Sequence, residues 1–147
     1  MAYDANLKAS ITAAAGGVNS AVSAVNSAAV VLGPLPATGL TFNVHLGLNS
    51  GDMVNRVATA SIYLTDRSGG TMYLAGAVQF PSGAATTSVR AHKSVVISKD
   101  LLSQVSGAVP EEIAYRVTLT DAVSLPCNAV NYKCDIYPAV GTGFSFP

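Results

Sequence analysis

Tryptophan is absent from this 147-residue chain, cysteine occurs only twice, and charged residues make up 11% of the sequence. The lack of tryptophan, with only six Tyr and four Phe, counts against broad aromatic platforms for stacking on sugars. Eight basic residues balance eight acidic ones, so the chain lacks the electrostatic footprint of a protein that binds nucleic acid or an anionic membrane.

The scarcity of charge indicates a protein that works inside an assembly. Soluble chains carry about 25% charged residues, so a lone monomer of this composition would be poorly protected against association. A surface covered by Ser, Thr, Asn and Gln is the alternative. Half of the residues are hydrophobic, mostly Ala and Val, which excludes disorder for most of the chain.

Sequence motifs that would indicate catalysis or metal binding are also missing. The segment Gly47–Gly51 lacks the spacing of a serine nucleophile elbow, and the acidic residues are spread without the spacing of a calcium loop. His45 and His92 are each isolated from acids and cysteines in the sequence. We therefore expect a protein that is not an enzyme and that holds no cofactor or metal ion.

Between Lys8 and Asp52 the sequence carries no Asp, Glu, Lys or Arg, yet its pattern is not that of a membrane span. Asn and Ser recur every few residues, so no stretch reaches the roughly 18 to 20 apolar residues that a span requires. No basic run precedes the segment, and we expect no export signal.

The first part of this uncharged region predicts a helix over about residues 4 to 32. A seven-residue repeat supports it, since Val18–Ala24 is followed by the similar Val25–Val31, and such a repeat keeps one stripe against a partner helix. Gly16-Gly17 interrupts the pattern, so two helices or a helix followed by an extended arm are alternatives. We expect the assembly contacts to come from the apolar stripe Leu7, Ile11, Val18, Val25 and Leu32.

We divide the chain into an Ala/Val/Ser-rich arm at 1–33, a Gly/Pro hinge at 34–39 and a β domain at 40–147. Residues after the hinge alternate with period two, and turn residues at 66–70 predict a hairpin between the runs 58–65 and 71–80. The segment 98–105 predicts one or two helical turns. The last run, 130–140, contains Pro138, which predicts an edge strand.

Six or so short strands separated by turns predict a mainly antiparallel β-sandwich or jelly-roll-like domain. The residues predicted to face inwards are Phe42, Val44, Leu46, Ile62, Leu64, Val117 and Leu119.

Cys127 and Cys134 are separated by six residues and do not form a zinc signature, because no second ligand pair accompanies them. A disulfide between them would close a small loop before the last strand. Two thiols in a reducing cell are the favoured alternative, because no export signal is found.

The uncharged arm, the Gly-Pro hinge and the small Thr/Val/Gly-rich β domain together resemble structural proteins of tailed-phage virions, such as capsid decoration (cement) proteins. The resemblance implies attachment to an icosahedral shell, commonly as a homotrimer, with the arm spreading over the shell. It implies other copies of the chain and other virion proteins as partners, and a location in the virion after assembly in the host cytoplasm. From the charge balance and the lack of a long apolar run we expect no nucleic-acid or membrane partner.

Two other functions stay open. One is a coat or tube subunit that polymerises by itself, and the other is a carbohydrate-binding or adhesive β module on a fibre or cell surface. If the arm makes the contacts, deleting residues 1 to 33 should leave a folded domain that binds weakly.

Overall fold

The computed structural model describes residues 7–16, 20–22, 24–33, 40–66, 72–97, 113–124 and 126–140. The regular structure in these residues is almost entirely extended, as the period-two runs predict. The strands are β1 Ala9–Ala15, β2 Val25–Asn26, β3 Val30–Gly33, β4 Leu40–Gly51, β5 Arg56–Asp66, β6 Met72–Phe80, β7 Ala91–Ile97, β8 Ile113–Val123 and β9 Val130–Val140.

The strands form two antiparallel sheets. Sheet A has the order β1-β9-β4-β7, and sheet B has the order β2-β8-β5-β6, with β3 also pairing with β8. The chain crosses between the sheets at most connections, so neighbours within a sheet are distant in sequence. This order, with β2 and β3 together forming one edge, is that of a jelly roll. The predicted fold class is therefore confirmed.

The core lies between the sheets and contains the side chains that the alternation predicted to face inwards. Phe42, Val44 and Leu46 of β4 are fully buried and belong to one core cluster with residues of sheet B. The Phe42 ring packs 4.9 Å from the ring of Tyr115, centroid to centroid. The other predicted inward residues are fully buried as well: Ile62, Leu64, Val117 and Leu119.

The helix predicted over residues 4–32 is wrong for the part of that segment that the structure describes. Residues 9–15 form β1, which pairs with β9 from Ala9 opposite Ile136 to Ala15 opposite Val130. Alternate residues of β1 are buried, and the pairing with β9 outweighs the helix propensity of alanine. The buried residues of β1 are Ala9, Ile11, Ala13 and Ala15.

The rest of the predicted arm also pairs with the sandwich where it is described. β2 and β3 are both antiparallel to β8, with Val25 opposite Leu119 and Val30 opposite Tyr115. The hinge at 34–39 and the helical turns expected at 98–105 lie outside the described residues.

The hairpin expectation is confirmed, whereas the edge position predicted for the last strand is wrong. β5 and β6 are antiparallel, from Ala58 opposite Phe80 to Thr65 opposite Met72. β9 lies inside sheet A, between β1 and β4. Pro138 faces Phe42 of β4 and lies beyond the last residue of β9 that has a β1 partner. A residue without an N–H is tolerated there, because β9 has a partner strand on one side only.

A buried ion pair ties several strands together inside the sandwich. Arg56 Nη1 donates to Asp121 Oδ2 at 2.6 Å, and both side chains are fully buried. Asp121 also accepts the hydroxyl of Tyr132 at 3.1 Å and the backbone N–H of Val22 at 2.6 Å. Arg56 Nε donates to the carbonyl of Asn128 at 2.8 Å. The pair thus connects β5, β8, β9 and the chain before β2.

Candidate functional site

The outer face of sheet A carries a row of polar side chains, one from each strand. Cross-strand partners point to the same face of a sheet, and the register pairs Ser10 with Asp135, Asp135 with His45, and His45 with His92. We call these four residues the Asp135 row. It crosses sheet A from β1 to β7.

Asp135 is 3% exposed although it lies on the outer face. Ser10 Oγ donates to its Oδ1 at 2.7 Å, and Arg90 Nη2 donates to its Oδ2 at 2.8 Å. Burial acts to raise the pKa of this carboxyl, but the two hydrogen bonds and the charges of Arg90 and Lys8 hold the pKa below its ordinary value. The carboxylate therefore stays ionised and fixes the position of Arg90.

Arg90 reaches Asp135 by crossing over β4 at Gly47. A Cβ on Gly47 would lie only 3.2 Å from Arg90 Nε and 3.3 Å from Arg90 Cγ, so the missing side chain provides the space for the guanidinium group. The Arg90 side chain remains 47% exposed. It can thus hold Asp135 and still face solvent.

His45 lies at the centre of a group of rings. Its ring centroid is 4.6 Å from that of His92 and 5.5 Å, edge to face, from that of Tyr137. Partial burial lowers the pKa of His45, and the nearby His92 and Arg90 charges lower it further, against the opposing effect of Asp135. The neutral imidazole is therefore favoured. The Lys8 ammonium lies 5.8 Å from the Tyr137 ring centroid.

An open pocket of about 340 Å³ lies at the end of this face, next to Arg90. It is lined by Gly47, Leu48 and Asn49 of β4, the loop residues 86–88, Arg90 and Lys133. The loop is held in shape by the Thr86 hydroxyl, whose oxygen accepts the backbone N–H groups of Ser88 at 3.1 Å and Val89 at 2.9 Å. The pocket thus presents two cations and several hydroxyl and amide groups on a supported backbone.

Where the structure describes it, the predicted assembly stripe does not form a helical face, since Ile11, Val25 and Leu32 lie in strands. Ile11 is in the core of the molecule, 3% exposed. Leu7, Val25 and Leu32 are half-buried, and Val18 lies outside the described residues. A contact role for the half-buried residues stays a prediction.

Cys127 and Cys134 are both buried and both carry thiols. Cys134 lies in the middle of sheet A, with Ile11 of β1 on one side and Leu46 of β4 on the other. Burial raises the pKa of Cys134 to about 12, and the charge of Asp135 adds to the effect. The thiol of Cys134 is therefore protonated and unreactive at neutral pH.

Sequence reasoning left His45 and His92 as isolated residues, and the fold brings their rings together. The outward polar alternation Asn43-His45 in β4 and His92-Ser94 in β7 is a signal that both strands present a polar face. What the sequence does not contain is the register that places Asp135 beside His45 and Arg90 over Gly47. Within the described residues no group of His, Cys, Asp and Glu is arranged to hold a metal ion.

No helix in the described part of the chain is long and apolar enough to cross a membrane.

Comparison with known proteins shows likeness of fold. No family model and no curated protein sequence matches the chain. A structure of infectious bursal disease virus, Gt strain, has a TM-score of 0.51 and 11% identity, covering 100% of this chain and 34% of the viral chain. The VP2 subviral particle of the same virus has a TM-score of 0.51 and 12% identity, covering 95% of this chain and 34% of that one.

A xylan-binding module, CBM15, has a lower TM-score of 0.47 at 11% identity, with 97% of each chain covered. The chain spans about a third of the length of the two viral chains named above. It shares a β-sandwich fold with them.

Proposed function

We propose that the protein is a non-catalytic structural component of a viral particle, of the capsid decoration type, and that it acts as a homotrimer bound to a shell of other virion proteins. The observation that carries the proposal is the combination of a jelly-roll sandwich with only 11% charged residues. Jelly rolls recur in viral capsid proteins, and a chain so poor in charge is suited to a surface that is covered in an assembly.

Exposed apolar side chains on the edge strands support this proposal. Leu74 of β6 is 57% exposed and Val96 of β7 is 55% exposed. β6 and β7 are the edge strands of sheets B and A, and they contact each other along one side of the sandwich. Edge strands leave backbone donors and acceptors unpaired, so a side with apolar residues is suited to contact with another subunit.

The mass of the full chain in solution tests the proposal, by light scattering after size exclusion and by sedimentation. We expect a discrete species of about three times the 14.9 kDa protomer. Changing Leu74→Ser together with Val96→Ser should dissociate it. The matched control is Val31→Ser with Val54→Ser, two exposed apolar residues outside β6 and β7, and it should leave the mass unchanged.

Other outcomes separate the alternatives. Sheets, tubes or shells seen by electron microscopy of the purified chain would replace the decoration role with that of a self-polymerising coat or tube subunit. A monomer at every concentration tested would contradict the homotrimer and remove the main support for an assembly role. The carbohydrate-binding alternative is favoured by a different observation, the polar pocket beside Arg90.

A further inference from the structure

We propose that the pocket beside Arg90 binds the carboxylate or sulfate group of an acidic saccharide. This inference is independent of the assembly proposed above, since it concerns a surface on the opposite side of β4 from the core. In the proposed complex, the negatively charged group of the sugar lies between Arg90 and Lys133. The sugar hydroxyls contact the loop 86–88.

The charges of the pocket favour an anion. Arg90 and Lys133 are two of only eight basic residues in the chain, and both line this one pocket. The carboxylate of Asp135 pairs with Arg90, and Ser10 and Arg90 each donate to one of its oxygens. Lys133 has no acidic partner among the described residues. An incoming carboxylate or sulfate would therefore gain the attraction of an ammonium group that has no counter-ion among the described residues.

The donors around these charges favour a ligand with many hydroxyl groups. Ligand pockets in proteins are commonly lined by apolar side chains, with a few polar groups to orient the ligand. Here the lining is mostly polar: Asn49, Thr86, Thr87 and Ser88 supply one amide and three hydroxyl groups, and Leu48 is largely buried. Hydroxyl and amide groups both donate and accept hydrogen bonds, as a sugar requires.

The size and support of the pocket fit one charged sugar unit. The volume of about 340 Å³ lies at the lower end of small-molecule sites, which span roughly 300 to 1,000 Å³. Arg90 is fixed by Asp135 and by the space above Gly47, and the loop is fixed by the Thr86 hydroxyl. A site held in place before binding spends less of its interaction energy on ordering.

Titration of the full chain with sugar probes, followed by calorimetry and by amide chemical shifts, tests the inference. The probes are sialyllactose and glucose 6-sulfate as acidic saccharides, lactose and glucose as neutral ones, and sodium sulfate as a free oxyanion. We expect the acidic saccharides to bind more tightly than either the neutral sugars or free sulfate. The shifts should fall in residues 47–49, 86–90 and 133.

Lys133→Gln is the decisive variant, because the change keeps the β9 backbone and the Lys133 side chain makes no ion pair among the described residues. It should weaken binding of the acidic saccharides at least about tenfold, the value expected for one charge-assisted hydrogen bond. Lys93→Gln is the matched control, since Lys93 lies over the Phe80 ring instead of at the pocket, and it should leave affinity unchanged. Gly47→Ala should also weaken binding, because its methyl group would displace Arg90.

Three results would overturn the inference. Equal binding of neutral and acidic sugars would remove the role of charge. Sulfate binding as tightly as the sugars would reduce the site to a simple oxyanion site. Equal losses in Lys133→Gln and Lys93→Gln would show that net charge, and not this pocket, governs binding.

Discussion

Single substitutions can remove much of the stability of this sandwich, and the buried pair of Arg56 and Asp121 is the clearest case. Both side chains are fully buried, and the Arg56 Nη2 atom has no hydrogen-bond partner in the described part of the chain. The attraction within such a pair does not fully offset the free-energy cost of removing both charges from water. Removing one member, however, leaves the other charge buried and uncompensated.

We expect Asp121→Asn to lower the free energy of unfolding by about 3–5 kcal/mol. The amide keeps the shape of the carboxylate but cannot neutralise Arg56 or accept as strongly from Tyr132 and Val22. Urea denaturation measures the change. Asp52→Asn makes the same chemical change at an exposed position and should shift stability by no more than about 0.5 kcal/mol. Equal effects at both positions would contradict the role of the buried pair.

His45 gives a prediction on the pH dependence of stability. Its pKa in the folded protein lies below the ordinary value of 6.5, so between these two values the unfolded chain binds more protons than the folded one. The His45 contribution to stability is therefore complete above 6.5 and is lost as the pH falls towards the folded pKa. Asp135, whose pKa is lowered from 3.8, adds a further loss in more acidic solution.

Unfolding in urea at about pH 7.5 and about pH 5.5 measures this effect, since histidine titrates in that range. His45→Gln should lose less stability between the two conditions than the original chain does. An unchanged slope in the variant would show that His45 does not carry the dependence.

At the scale of elements, β1 is the strand for which the structure most changes the expected effect of a truncation. It was expected to belong to a helical arm, and it is instead a strand of sheet A whose alternate side chains enter the core. Removing it would uncover the β1 side of β9 and take Ile11 from the core. The structure therefore gives the opposite expectation to the sequence for a truncation, namely that a chain without residues 1 to 33 is strongly destabilised.

A point substitution tests the same strand without deleting it. Ile11→Ala should lower the free energy of unfolding by about 2–5 kcal/mol, because it removes a branched side chain that is 3% exposed. Thr12→Ala changes the adjacent exposed residue of β1 and should have little effect. Thermal and urea unfolding measure both. Similar small effects in the two variants would show that β1 is not part of the cooperative unit.

How far the sequence predicts the structure depends on the element. Period two with large residues identified β4, β5 and β8 and their buried faces correctly, because Phe42, Ile62 and Leu119 cannot be placed on a solvent face without cost. In β1 the small alanines fit a helical and an extended pattern equally well, so periodicity alone cannot separate them. The prediction from Pro138 placed β9 at an edge of the sheet and was wrong. The sequence does not show that the pairing of β9 with β1 ends before Pro138.

Predicting the candidate site from the sequence depends even more strongly on knowing which strands pair. The residues that build it come from β1, β4, β7, β9 and the loop before β7, and only the register between these strands brings them together. The alternation shows which side chains share a face of their own strand, but a strand's neighbours in the sheet are not written in its local pattern. Asp135 and Arg90 are 45 residues apart, beyond the reach of any local signal.

At the scale of the whole molecule, the strand order also constrains when the protein can fold. β9 is the last described strand along the chain, yet it occupies the middle of sheet A, and the contact between Ser10 and Asp135 joins residues 125 positions apart. During synthesis β1 and β4 emerge from the ribosome before β9. Their backbone groups that later pair with β9 stay unpaired until β9 has also emerged. Closing such long loops is slow, so sheet A is completed only after translation has passed residue 140.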